Sequence, residues 1–427
     1  MQALGNYYDA TVGERTPRPA LRHTIDADVC IVGAGFAGLA TALGLLERGV
    51  KDVVLLEAHQ VGFGASGRNG GFVFGGYSLD CADLLAQLGP VQAKTTYAFT
   101  RQAVDLIRRR IQHHAIDCDA VEGGALLVNW FRDDALLHRQ QRLMAEHFDV
   151  DWRFIPKSEL AQWVTSDRYS AALLEPDAFH FHPLKYALGA AAAVESLGGR
   201  IFERSPAVSI DAGGGGTRVA TDAGTVQARH VVIAGGGYLA GLVPQLERAI
   251  LPIATYVMAT EPLGDALHRL LPSRAAIYDT RFAFDYYRKL NDTRLLWGGR
   301  ISVRDRHPAD IAQFLKRDMV KVFPDLRGAQ VAHAWGGMMS YARHKMPQIG
   351  RLPNGLWYGL GFGGHGVAPT TAAGELLARS IAEGTPLPAS FVRYGLPRTF
   401  RPFGLAAAQA TYAWLQFKDV LRERQAG

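Results

Sequence analysis

The sequence predicts an α/β fold, α+β overall: a parallel, helix-flanked sheet interrupted by an inserted antiparallel sheet. Three observations predict it. Between Asp28 and Glu57 a strand, a G-x-G-x-x-G turn, a helix and a second strand stand in order. Two more apolar runs, His230–Ala234 and Leu356–Gly359, lead into glycine-rich loops. Between them, residues 251–340 change to short β-like runs rich in aromatic side chains.

The chain opens with a mixed, proline-bearing stretch, residues 1–27. It reads as an extended surface arm, with Tyr7 and Tyr8 placed to pin it to the body. Val29-Cys30-Ile31-Val32 has the length and β-branching of a buried strand. Gly33-Ala34-Gly35-Phe36-Ala37-Gly38 follows, then a helical stretch, Leu39–Arg48, stopped by Gly49. Val53–Leu56 is the second strand, and Glu57 ends it about twenty residues past the glycines. Each residue has a physical role in a Rossmann-like dinucleotide fingerprint. Gly33 permits the tight turn, Gly35 admits a pyrophosphate to the backbone, and Gly38 lets helix and strand approach. Free N–H groups and the helix dipole favour the phosphates. Glu57 is spaced to hold a ribose hydroxyl and to repel an extra phosphate.

The loop Gly62–Gly71 is too rich in glycine for a regular element. Its Ala65-Ser66 and Arg68-Asn69 make it chemically specific rather than linker-like. Residues 83–147 read as mostly helical, with a strand at Ala125–Val128. A helix is expected over Pro183–Leu197. Short antiparallel strands are then expected at 201–202, 207–210, 219 and 225–226, with a turn at Gly213–Gly216. The run His230–Ala234 reads as a separate buried strand ending at Gly235-Gly236-Gly237. In the inserted part, strands are expected at 255–259, 275–278, 282–288, 295–298 and 331–335, and a helix near 310–323. The strand Leu356–Gly359 leads to Gly361-Phe362-Gly363-Gly364-His365-Gly366-Val367-Ala368 and a helix from Thr370 to Ser380, a second anion-friendly helix start. An amphipathic helix, Leu405–Glu423, ends the chain.

Composition narrows the function. With 427 residues, 48% apolar and 20% charged, the chain is an ordinary globular protein of roughly two to three domains. A net charge of +6 suits a diphosphate or an anionic substrate, while no Lys/Arg run or zinc-finger spacing points to nucleic acid. Cys30, Cys81 and Cys118 form no C-x-x-C pair and no metal spacing, so no metal site is expected. No apolar run is long enough to span a membrane and no signal-peptide core is present, so a cytoplasmic location is expected.

Three separated pieces carry a resemblance: the fingerprint with Glu57, the loop Gly64–Gly71, and Gly361–Gly366. The chain resembles the D-amino-acid-oxidase-type flavoenzymes, which include glycine oxidase, sarcosine oxidase and γ-glutamylputrescine oxidase. It looks most like the γ-glutamylputrescine-oxidase branch, through Ser66-Gly67-Arg68-Asn69-Gly70-Gly71, Tyr286-Tyr287-Arg288 and the Tyr7-Tyr8 arm.

The resemblance implies an FAD-binding domain of the glutathione-reductase type, residues 1–85, 150–250 and 340–427. A substrate-binding domain is implied for 86–149 and 251–339. It implies that Gly33, Ala34, Gly35, Phe36, Ala37 and Gly38 hold the pyrophosphate, and Glu57 with Ala58 the adenosine ribose. Gly64, Ala65, Ser66, Arg68, Asn69, Gly70 and Gly71 would line the flavin ring. Val208 would lie beside the adenine, with Ala234, Gly235 and Gly236 close to the same cofactor. Gly361, Phe362, Gly363, Gly364, His365, Gly366, Val367 and Ala368 would close over the ribityl chain and the ring.

Departures from the family pattern shape the rest. Trp335–Ser340 holds no cysteine where sarcosine oxidases attach flavin, so FAD is expected to be non-covalent. Met339 and Gly364 stand where two carboxylate-binding arginines would be, and Leu296 where a lysine promotes the oxygen reaction. The expected catalytic set is Tyr286, Arg288, Arg300 and His365, with Arg288 and Arg300 free to grip a carboxylate placed differently. The implied reaction is oxidation of a small-molecule primary or secondary amine, or an N-substituted amino acid, by hydride transfer to flavin N5. The imine hydrolyses to an aldehyde or keto acid, and O2 is reduced to H2O2. The alternative is a dehydrogenase of the same fold that passes electrons to a quinone or a protein.

Overall fold

The computed structural model describes residues 4–213 and 216–426. Two sheets organise it. The first runs, strand by strand, Ser209–Gly213, Gly216–Ala220, Thr225–Ile233, Thr24–Val32, Val53–Leu56 and Arg200–Phe202. Trp357–Leu360 joins in parallel at Ile233, and Gln348–Arg351 pairs with it antiparallel. Helices Phe36–Leu46, Pro183–Ser196 and Val367–Glu383 pack beside the sheet, and the strands between them are buried and β-branched.

Several expectations change here. The fingerprint helix starts at Phe36, not Leu39, because Gly38 is a helical residue and only Gly33, at φ 108°, needs the left-handed region. Residues 225–226 and 230–234 fall in one nine-residue strand, Thr225–Ile233. Arg200–Phe202 pairs parallel to Val53–Leu56, as a strand returning from the crossover helix Pro183–Ser196 must. The expected antiparallel pairing holds for Ser209–Gly213 with Gly216–Ala220 and for Gly216–Ala220 with the start of Thr225–Ile233; residues 214 and 215 of the first turn lie outside the described residues.

The second sheet runs Val331–Ala342, Ile250–Thr260, Leu295–Ser302, Tyr286–Lys289, Ala276–Asp279, Ala125–Val128, Ala172–Glu175 and Arg153–Ile155. It is antiparallel except where Ala276–Asp279 pairs parallel with Ala125–Val128. Strands Arg153–Ile155 and Ala172–Glu175, read as part of the 150–250 share of the first domain, therefore belong to the second sheet. Helix Pro308–Val322 covers one face of it, burying Ile311, Leu315 and Met319.

Tyr7 and Tyr8 do pin the amino-terminal arm, but through a short helix, Tyr7–Thr11, capped by Asn6. The Tyr8 ring is fully buried, 4.6 Å from His182 and 5.3 Å from Trp335. The last helix, Phe403–Ala426, forms as expected, but Phe403, Trp414, Phe417, Val420 and Leu421 point outward. Among the described residues, no helix is long and apolar enough to cross a membrane.

Candidate active site

Four strands end at one edge. Val32 is level with Leu56 on one side and Ile233 on the other, and Ile233 with Tyr358. Glycine-bearing loops leave all four at this carboxyl edge, where doubly wound sheets bind ligands. The strand ends lock together: Gly33 N donates to Leu56 O at 2.8 Å, and Ala234 N to Val32 O at 2.8 Å. A Cβ on Gly33 would stand 2.8 Å from Ala234 O, and one on Gly38 only 1.9 Å from Gly33 O. Neither position accepts a side chain.

The Glu57 carboxylate accepts from Ala34 N at 2.9 Å and from His59 N at 3.0 Å. Burial raises its pKa, opposed by those two N–H groups. The next loop folds back onto the fingerprint. Ser66 Oγ accepts from Phe36 N at 2.9 Å, and Asn69 holds the loop by donating to Ala65 O and Ser66 O. The loop is not wholly irregular: Ala65–Gly67 makes one 3-10 turn.

The third loop is anchored by Ser78, a residue with no motif around it. Ser78 Oγ donates to Phe362 O at 3.1 Å and accepts from His365 N at 3.2 Å, and Gly363 N donates to Ser340 O at 2.7 Å. The helix that follows starts at Val367, on Gly366, rather than at Thr370. It lies against the fingerprint helix through two glycines. A Cβ on Gly374 would meet Ala40 Cβ at 2.6 Å, and one on Gly44 would meet Ala378 Cβ at 2.7 Å. The N-cap residues, Gly35 and Gly366, have no side chain to cap their helices, and at the first of them Ser66 Oγ takes only the Phe36 N–H. Two helix N-termini thus present backbone N–H groups and positive dipole ends to the same space.

That space is a cavity of about 1770 Å³. Gly33, Gly35, Phe36, Ala37, Glu57, Ala58, Gly64, Ala65, Ser66, Arg68, Asn69, Gly70, Val208, Ala234, Gly235, Gly236 and Phe362 to Ala368 all line it. Ala34, Gly38, Gly71 and Gly361 stand behind the lining and shape the loops. The cavity exceeds the roughly 300–1,000 Å³ of a single-ligand pocket.

Its far wall comes from the second sheet and the loop after Gly71. Phe72, Phe74, Tyr278, Phe284, Tyr286 and Tyr341 line it. The Tyr286 ring lies where a Cβ on Gly70 would be 2.5 Å away and one on Gly298 2.1 Å away, so both glycines make room for it. The Phe74 ring meets His365 edge-on at 4.2 Å and stacks on Tyr278 at 5.6 Å. Burial pushes the His365 imidazole down to about 4, against the opposing effect of the Gly75 and Phe74 carbonyls that accept from it, so it is neutral at pH 7. Its Nε2 is buried and has no partner among the described residues. Behind Tyr278, the phenol is hydrogen-bonded to the buried carboxyl of Glu175, whose pKa burial pushes up to about 8.

Two expected catalytic residues are placed otherwise. Arg288 does not line the cavity. Its guanidinium is buried and donates to Gly70 O at 2.7 Å and Phe181 O at 2.8 Å, so it ties the glycine loop to the body. Arg300 does line the cavity, but both its ends are held by Asp318, at 2.6 and 2.9 Å. Leu296 is fully buried among Tyr7, Tyr8, Val257 and Trp335, away from the lining, so it carries no argument about the electron acceptor. Met339 and Gly364 do face the cavity, where they supply no charge. The exposed cations on its lining are Arg343, Lys345 and Arg398.

The residues present fit FAD. The glycine cradle leaves no room for side chains beside two helix starts with glycine N-caps, and a carboxylate ends the second strand.

Comparison with known proteins points the same way. Residues 28–380 match the family profile described as FAD dependent oxidoreductase, DAO. The chain is 36% identical over 415 residues to gamma-glutamylputrescine oxidoreductase of Escherichia coli strain K12, covering 96% of this chain and 97% of that one. It is 33% identical to the probable oxidoreductase OrdL of Haemophilus influenzae, covering 88% of each. Among solved structures, glycine oxidase from Geobacillus kaustophilus shares the fold with a TM-score of 0.73 at 22% identity, covering 87% of this chain and 99% of that one. The L-proline dehydrogenase of P. horikoshii does so with a TM-score of 0.72 at 18% identity, covering 90% and 100%.

Proposed function

This chain belongs to the DAO family of FAD-dependent oxidoreductases, and on that footing we propose that it oxidises the carbon–nitrogen bond of a primary or secondary amine bearing a distal anionic group. The observation that carries the reading is the shared cavity, in which the glycine cradle of Gly35, Ser66 and Gly364 faces the aromatic wall of Phe74, Tyr278 and Tyr286. The relative in Escherichia coli is named for an amine of this kind. We also take the part around the first sheet as the cofactor domain and the second sheet as the substrate domain.

Bound FAD, held without a covalent link, supplies the two-electron acceptor that takes hydride from the carbon next to nitrogen. The chain's own residues position and desolvate the amine. Aromatic faces of Phe74, Tyr278 and Tyr286 favour an amine's positive edge and exclude water. His365, neutral at pH 7 and too weak a base to take the ammonium proton, is a polar, uncharged part of the lining beside Phe74. An α-carboxylate finds no free arginine beside Met339 and Gly364. The exposed Arg343, Lys345 and Arg398 instead suit a carboxylate at the other end of the substrate. The imine product hydrolyses to an aldehyde or keto acid, and O2 re-oxidises the enzyme with release of H2O2.

The alternative acceptor is a quinone or a protein; the outward apolar helix Phe403–Ala426, which also lines the cavity, favours it. An anaerobic screen of amines and N-substituted amino acids, read by loss of the flavin absorbance band and followed by admission of air, tests both. The oxidase reading expects bleaching by an amine and fast recovery with peroxide. Bleaching without oxygen uptake supports the dehydrogenase, and no bleaching by any amine overturns the amine assignment.

A further inference from the structure

The helix Phe403–Ala426 is amphipathic with its faces reversed. Phe403, Ala410, Trp414, Phe417 and Leu421 are spaced by seven, four, three and four residues, which puts them on one stripe. That stripe faces solvent: Phe403 is 80% exposed, Trp414 59%, Phe417 51% and Leu421 40%. Phe400, just before the helix, is 63% exposed and held at φ 52°.

The opposite face carries the polar groups, and they hold the helix to the second sheet and its loops. Gln409 accepts from Ser302 Oγ and Val303 N, both at 3.2 Å. Asp419 accepts from Phe282 N at 3.0 Å. Glu423 accepts from Arg168 at 2.5 Å and from Trp130 Nε1 at 3.3 Å. Both acids of the helix are therefore turned inward and paired. Lys418 and Arg424 flank the apolar stripe and are exposed. The outward half of the helix is thus aromatic, aliphatic and cationic.

We propose that this helix seats the protein on an anionic lipid surface, lying in the interface with Phe403, Trp414, Phe417 and Leu421 inserted. The composition is what an interfacial helix requires: aromatic and leucine side chains on one face, with Lys and Arg beside them to meet anionic headgroups. The stripe from Phe403 to Leu421 is about 27 Å long, enough to lie flat along a membrane. A second copy of the chain fits less well, because the helix offers no outward acid for the copy's Lys418 and Arg424. Phe403, Ala407, Ala408, Thr411 and Tyr412 also line the cavity, so the seated helix would place the cavity wall at the lipid boundary. The inference holds whichever acceptor re-oxidises the enzyme.

Co-sedimentation of the holoprotein with vesicles of phosphatidylcholine alone, or with phosphatidylglycerol added to about 30%, tests it. Trp414→Gln/Phe417→Gln and Lys418→Glu/Arg424→Glu are compared with the parent, since all four side chains are exposed and their loss leaves the anchoring face intact. The expected result is binding that needs the anionic lipid and falls steeply in high salt. It drops at least about tenfold in the first variant, and by about fivefold or more for each cation reversed. Absence of binding to anionic vesicles overturns the proposal. In that case sedimentation velocity distinguishes a dimer that Trp414→Gln/Phe417→Gln dissociates, which assigns the face to a second copy, from a monomer.

Discussion

Ser66 Oγ accepts a 2.9 Å hydrogen bond from the backbone N–H of Phe36, thirty residues earlier in the chain. Phe36 is the first residue of the fingerprint helix, and Ser66 is in the second glycine loop. This bond fastens one cradle to the other and satisfies an N–H that the helix itself leaves orphaned. Ser66→Ala removes it at a cost of about 1 kcal/mol. FAD affinity measured by fluorescence is expected to weaken about fivefold, with the melting temperature of the apoprotein lowered by only about 1–3 °C. Unaltered affinity would show that the two loops act independently.

Arg288 serves stability rather than substrate binding. Its buried guanidinium donates to Gly70 O and Phe181 O, each a charge-assisted bond of about 1.5–3 kcal/mol. Arg288→Met is expected to lower unfolding free energy by roughly 3 kcal/mol in denaturant titrations while KM of the folded enzyme stays within about twofold. A large rise in KM at unchanged stability would restore the carboxylate-gripping role.

Glu175 makes the folded state sensitive to pH. Burial raises its pKa to about 8, with the Tyr278 hydrogen bond opposing, against about 4.3 for an unfolded glutamate. A carboxyl raised on folding is protonated in the native state where it is already ionised in the unfolded chain. Its contribution therefore declines as pH rises from about 4.3 to about 8, by at most a few kcal/mol. Glu175→Gln should flatten this slope in unfolding measured between pH 5 and 8. An equal slope in parent and variant would assign the pH dependence elsewhere.

Gly374 sets the distance between the two helices that point at the cavity. Gly374→Ala puts a Cβ 2.6 Å from both Ala40 Cβ and Thr41 N, an overpacking worth about 1–3 kcal/mol. Weaker FAD binding together with a lower melting temperature is expected, since the helix starts must separate. A fully stable variant with parental affinity would show that the contact yields freely.

The parts of the site that follow from local chain geometry were legible in the sequence. Gly33, Gly35, Glu57 and Gly363 announce themselves because strand, glycine and helix recur at fixed spacing, and all four lie on or beside one cavity. Long-range pairing was not legible. Arg200–Phe202 looks like any short strand, and only its partner Val53–Leu56, far back in the chain, makes it parallel. Ser78 carries no motif, yet it anchors the third loop. Arg288 resembled a substrate ligand because its burial depends on Phe181 and Gly70, which no spacing connects to it. The reversed faces of the last helix were visible as a stripe, but which side met the protein depended on Asp419 and Glu423 finding Phe282 and Arg168.

The central claim is that three glycine loops, separated along the chain, hold one FAD. The most direct measurement is equilibrium FAD binding to apoprotein carrying one bulky substitution in each loop, Gly35→Val, Ala65→Phe or Gly366→Phe, with circular dichroism melts as the fold control. The account predicts that each substitution alone weakens FAD by about a hundredfold or more while the fold persists. A folded variant at any one of the three positions that binds FAD as tightly as the parent would contradict it.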